Sequence, residues 1–180
     1  MHLHSTSELL GDNVVLQSLT ASDVDARYVD WLNDPEVNRF LESRFAQHTL
    51  ESVKDFVQSQ CDDPRVHFWR IIENESSTHV GNIKLGPIDP HHGVADIGLM
   101  IGDGSFRGRG IGSQSVRLVT EFALETLQLP KVTAHAYEVN EPSIRLFQSL
   151  GFQVEGRLRS HRMCDGKRIT FVAMGKLRGE

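Results

Sequence analysis

The sequence predicts a mixed α/β domain: a mostly antiparallel sheet of about six or seven strands, flanked by about four helices. Three observations carry that expectation. Strand-like segments at Val66 to Ile72, Val80 to Leu85 and Val94 to Ile101 follow one another with only turn-rich stretches between them, Asn74 to Thr78 and Pro87 to Gly93, which is the pattern of an antiparallel meander. The apolar period then changes, and Val116, Val119, Phe122, Ala123 and Leu127 recur at helical spacing behind a glycine-rich run. Towards the end, Asp165 and Gly166 separate Phe152 to Met163 from Arg168 to Met174, as a two-residue hairpin turn does.

Taken in order, residues 1–12 read as a flexible polar tail and 13–180 as one domain. Asn13 to Leu19 has strand composition, and Thr20 with Asp23 forms a capping box from which a helix should start. Val24, Tyr28, Trp31 and Leu32 keep helical spacing until Asn33, Asp34 and Pro35, because proline disfavours helical geometry in the residue before it. A short helical turn, Glu36 to Leu41, follows. Thr49 is placed to cap a third helix with Leu50, Val53, Phe56 and Val57 on one face, ending near Asp62, Asp63 and Pro64. After the meander comes a helix from about Ile111 to Leu127, stopped by Leu129 and Pro130, and then a strand, Val132 to Tyr137. Asn140 sits where a cap belongs before a last helix carrying Ile144, Leu146, Phe147 and Leu150, with Pro142 in its first turn and Gly151 closing it.

Composition narrows the partners. A chain of 180 residues suits one domain able to bury a core without disulfides. A formal net charge of -5 with no dominant basic stretch argues against a nucleic-acid partner. Cys61 and Cys164 lie far apart with no CxxC spacing, which fits reduced thiols. No stretch approaches the roughly 18 consecutive apolar residues of a membrane span, and the N-terminus lacks signal-peptide character. The expectation is a cytoplasmic protein, a monomer or homodimer, without membrane partners. His91 with His92, and His2 with His4, offer no spacing that closes a tetrahedral metal set, so no metal is expected.

The run Arg107, Gly108, Arg109, Gly110, Ile111, Gly112 has the character of an anion cradle. Glycine lets a ligand approach the main chain, the first amides of the following helix lack internal partners, and two arginines add charge-assisted donors. A pyrophosphate fits such a loop, whether it belongs to NAD, ATP or CoA. The G-x-G-x-x-G and G-x-x-x-x-G-K-[ST] patterns are both absent.

Two motifs make the chain resemble the GNAT family of N-acetyltransferases from about Asn13 to Lys176. One is [RQ]-x-x-G-x-[GA], met by Arg107, Gly110 and Gly112; the other is N-x-x-[AS]-x-x-x-[YF]-x-x-x-G-F, met by Asn140, Ser143, Phe147, Gly151 and Phe152. The stretch Trp31 to Val37 resembles the branch acting on ribosomal proteins or other protein N-termini, and on amino sugars of sugar nucleotides. The resemblance implies the GNAT fold, with the sheet splayed between its fourth and fifth expected strands. It implies acetyl-CoA as co-substrate and direct transfer to a primary amine. Leu99, Met100 and Ile101 would pair their backbone with pantetheine, residues 107–113 (with Ile111 and Ser113) would hold the pyrophosphate, and Asn140, Ser143 and Phe147 would lie near the thioester. Trp31, Asp34, Glu36, Arg39 and Phe40, with Glu42 and Arg44 beyond them, would line the acceptor pocket.

For the chemistry, Asp96 is the first candidate base, then Glu138, with His135 on the neighbouring strand. Phe147 stands where the family commonly has a tyrosine that protonates the departing thiolate. A thiol of pKa about 8.5 leaves tolerably without a strong acid, and Ser143 or a water remains as donor. A non-catalytic acyl-CoA-binding module is the competing expectation.

Overall fold

A computed structural model describes residues 8–180, so His2 and His4 lie outside the described residues. One eight-stranded sheet runs through the molecule in the order β1-β2-β3-β4-β5-β6-β8-β7. Its strands are β1 (Glu8–Leu10), β2 (Val14–Ser18), β3 (His67–Glu73), β4 (Thr78–Leu85), β5 (Val94–Ile101), β6 (Lys131–Tyr137), β7 (Gln153–Cys164) and β8 (Lys167–Leu177). β3, β4 and β5 form the expected three-stranded meander, β2 and β1 extend it antiparallel beyond β3, and Asp165 with Gly166, at φ 49° and 75°, makes the β7–β8 turn. The expected tail is shorter than read from sequence: Glu8–Leu10 pair with Gln17–Val15 as an edge strand, which three residues of mixed polarity do not announce.

Among the described residues five α-helices flank the sheet: α1 (Ala26–Asn33), α2 (Pro35–Asn38), α3 (Leu50–Asp62), α4 (Ile111–Glu121) and α5 (Glu141–Ser149). The Thr20 capping box exists but closes a single 3-10 turn, and Asp25 caps α1 instead by accepting from the Tyr28 amide at 2.9 Å. On α3, Val53 and Val57 are buried while Leu50 and Phe56 face solvent, a narrower stripe than the sequence suggests. The helix expected to reach Leu127 as α-helix widens at Phe122–Thr126 into a π-helical turn, with the Leu127 amide donating to Phe122 O.

Period-2 alternation splits β5 between two cores. Ile97 and, on β6, Ala134 and Ala136 join the cluster under α4 and α5; Met100 joins the one under α1 and α3. Trp31, expected at the acceptor pocket, belongs to that second core. It is buried, and its indole lies so close to Gly102 that a Cβ there would stand 2.0 Å from the ring. Gly102, at the end of β5, is therefore required by packing. Gly102→Ala should lower stability by about 1–3 kcal/mol through overpacking, read as a lowered urea midpoint; an unchanged midpoint would contradict that contact.

Candidate active site

β5 and β6 run parallel, and their pairing stops early. Val94, Ala95 and Asp96 pair with Lys131, Val132 and Thr133, after which the strands diverge although β5 continues to Ile101 and β6 to Tyr137. The outer edges of both are held, β5 by β4 and β6 by β8. The result is a fork whose inner edge on β5, residues 97–101, has no strand partner among the described residues. The splay expected between the fourth and fifth strands is this fork, its strands renumbered by the extra β1.

Asp96 occupies the last rung. Its Oδ1 accepts from the Thr133 hydroxyl at 2.9 Å and lies 2.8 Å from His135 Nδ1. Two residues that sequence reading offered as separate candidates thus form one pair. The hydrogen bond that His135 donates to Asp96 pushes the His135 pKa up, partly opposed by burial. With Nδ1–H donated to Asp96, the neutral imidazole exposes Nε2 as an acceptor. The ring stacks on Phe171 at 5.4 Å and 10°. Glu138, the second candidate base, is not part of this group. It lies one residue past Tyr137 at the end of β6, and its carboxylate is taken by Arg157 at 2.6 Å.

At the far end of the fork lies the glycine loop. Gly110 caps α4 with φ 78°, open to glycine at no steric cost, and a Cβ there would meet nothing within 4 Å. The Gln114 amide is bonded to Gly110 O, so the amides of Ile111, Gly112 and Ser113 precede the first helical bond. Gly108, also at positive φ, and the flanking Arg107 and Arg109 are exposed. Arg107 donates to Ile101 O at 3.1 Å, bracing the strand end, and the Arg109 guanidinium lies over Phe106. Gly112 has a different reason from the one sequence suggests: a Cβ would press at 3.3 Å on Leu99 and Leu146, so it lets α4 approach β5 and α5.

Asn140 caps α5 by accepting from the Ser143 amide at 3.4 Å. Ser143 precedes Leu146 and Phe147 by three and four residues and shares their helix face. Phe147 is buried against Phe152 at 5.1 Å, so it is a core residue where a ligand contact was expected. Among the substrate candidates, Asp34 caps α2 through the Glu36 amide, Glu36 is exposed, and Arg39 bridges to Asp165 of the hairpin turn at 2.6 Å. Phe40 meets Tyr137 at 5.8 Å. Sequence reading missed Tyr137: its hydroxyl donates to Glu42 and accepts from Arg44 Nη1 at 2.8 Å, and burial followed by the Glu42 bond raises its pKa. It also missed Phe171 and Arg162, whose guanidinium lies 4.4 Å over the Phe171 ring. His91 and His92 sit in a turn closed by Asp89, and no group of metal-ligating side chains occurs among the described residues.

The family pattern described as acetyltransferase (GNAT) domain matches residues 13–153. The chain belongs to the GNAT family. This GNAT acyltransferase is 31% identical over 164 residues to human alpha/beta-tubulin-N-acetyltransferase 9, covering 85% of this chain and 78% of that protein. It is 27% identical to the uncharacterized N-acetyltransferase p20 of Bacillus licheniformis, over 96% and 97% of the two chains. Among solved structures, RimL, a ribosomal L7/L12 alpha-N-protein acetyltransferase in complex with coenzyme A, superposes with TM-score 0.85 at 17% identity over 94% and 97% of the chains. Spermidine N-acetyltransferase from Vibrio cholerae in complex with CoA and spermine gives 0.83 at 16% over 93% and 97%. These likenesses show the GNAT fold.

The Asp96–His135 pair has a direct spectroscopic signature. In an NMR titration, the His135 ring should titrate above the ordinary histidine value of about 6.5, and Asp96→Asn should bring its midpoint down towards it. Identical midpoints in the two proteins would contradict the pairing.

Proposed function

We propose that this acyltransferase moves the acetyl group of acetyl-CoA directly to a primary amine, with the donor laid into the β5–β6 fork. The observation that carries the reading is the fork itself, closed at its apex by Asp96 and His135 and ended by the glycine loop. The β6-facing backbone edge of Leu99, Met100 and Ile101 pairs with the pantetheine arm as an added strand would, Arg107 already holding Ile101 O. Its pyrophosphate takes the amides of Ile111, Gly112 and Ser113, with Gly108 and Gly110 allowing close approach and Arg107 and Arg109 at the rim. Asn140 positions the thioester end.

An acceptor amine attacks only when neutral. His135 Nε2, held in the right tautomer by Asp96, takes the amine proton as nitrogen bonds to the carbonyl carbon; the C–S bond then breaks and the thiolate is protonated through Ser143 or water. Alignment of donor and acceptor supplies much of the remaining acceleration. The acceptor is read as a protein amine, supported by the tubulin acetyltransferase relative, and among protein amines as an N-terminus, in keeping with the alpha-N-protein acetyltransferase RimL. Arg44 and Arg162 on the same face favour, as second reading, an amino sugar carried on a nucleotide, whose phosphates they would bind. Cytoplasmic location and a monomeric or dimeric state belong to the same reading.

Incubation of the protein and acetyl-CoA with N-terminal peptides, spermidine and amino-sugar nucleotides, followed by mass spectrometry, should show one acetyl group gained on an amine. Binding of acetyl-CoA with no amine modified would instead support a non-catalytic module. His135→Gln should lower kcat/KM by about 10²- to 10⁴-fold near neutral pH. The sign of the pH dependence follows from the raised His135 pKa: the base is protonated below it, so wild-type activity climbs as pH rises through that value, and in Asp96→Asn the climb moves to lower pH. Coincident profiles would remove the pair from catalysis.

A further inference from the structure

A cavity lies away from the fork. Beside α1, the outer ends of β2, β3 and β4 and the turn after β3 enclose an open space of about 720 Å³, within the range of small-molecule sites. Its floor is the cross-strand pair Val15–Ile72, and next to it on the same face lies the pair Gln17–Arg70. Arg27 reaches in from α1, Asn74 and Thr78 from the turn, and no carboxylate lines it. Arg70 spends one donor on Asp23 at 2.9 Å, while its buried Nε finds no acceptor among the described residues. Arg27 stands 3.7 Å from Asp25. A guanidinium carries five donors, so both arginines keep donors for a ligand.

We propose that this cavity is a binding site for a small anion on an apolar body, a carboxylate or a phosphate monoester, and that its occupant acts on the donor site. Two forks suited to planar or tetrahedral oxyanions stand over an apolar floor, and they carry the site, because Gln17 donates to Glu8, Asn74 to the Gly11 and Asp12 carbonyls and Thr78 to the Ser76 carbonyl. The route to the donor site is contiguous. The Arg27 guanidinium lies 5.5 Å from the Trp31 ring, and the His79 ring at the cavity wall meets Trp31 edge-on at 5.1 Å. Trp31 packs against Gly102, where β5 ends, and the Gly102 and Asp103 amides both donate to Val80 O beside His79. An anion that draws Arg27 off Trp31 changes what supports the strand end leading into the glycine loop. The binding claim stands apart from the acetyl-transfer reading; the coupling claim rests on it.

Calorimetry separates the two claims. Phenyl phosphate and phenylacetate distinguish the two anion sources, and benzyl alcohol is the neutral control. At least one anion should bind wild type, should bind Arg27→Gln and Arg70→Lys at least about tenfold more weakly, and should still bind when CoA is saturating, whereas benzyl alcohol should give no heat. Arg27 is exposed on α1, so Arg27→Gln keeps the fold. Failure of both anions to bind, equal affinity in the variants, or displacement by CoA would overturn the site. With the anion present, CoA affinity should shift, and CoA should shift anion affinity by the same factor. An unchanged CoA affinity would overturn the coupling.

Discussion

Parallel pairing of β5 with β6 ends after three rungs, and the surrounding structure is arranged to hold that gap open. Unpaired backbone groups are costly when buried, and an unpaired strand edge invites another strand. Here β4 and β8 fix the outer edges, so neither strand can move across to close the fork. Gly112 lets α4 seat against Leu99, and Arg107 ties the loop to Ile101, so the open edge and the start of α4 belong to one rigid assembly. An extended ligand with an anionic end matches that assembly in hydrogen bonding and in charge.

At the apex, electrostatics replace the ladder. Beyond the Asp96–Thr133 rung the strands are joined through a carboxylate that takes a hydroxyl and an imidazole donor together. The same bonds that finish the pairing orient His135 and raise its pKa. On the opposite side of the sheet, Phe147 fills core space against Phe152 and carries no acidic proton, while Ser143 shares its helix face. Arg39, just past α2, bridges to Asp165 and ties that end of the helix to the β7–β8 hairpin.

Local chemistry was legible in the sequence. The meander, the Asp165–Gly166 turn, the Asn140 cap and the αL glycine before α4 each follow from a few adjacent residues. Contacts across long separations were not. Asp96 and His135 are 39 residues apart, and only the parallel register brings them together. Trp31 carries the same helical spacing whether it faces a core or a pocket, and its burial, with the indole filling the space a Gly102 Cβ would need, decides the matter. Tyr137 reads as the end of a strand until Glu42 and Arg44, nearly a hundred residues earlier, are found at its hydroxyl.

Hydrogen exchange with acetyl-CoA is the most direct test of the fork as donor site. Binding should slow exchange of the amides in residues 97–101 and 111–113 together, because one ligand spans the open strand edge and the helix start. Protection absent from both segments, or confined to residues 70–79, would contradict the fork as the place where the donor lies.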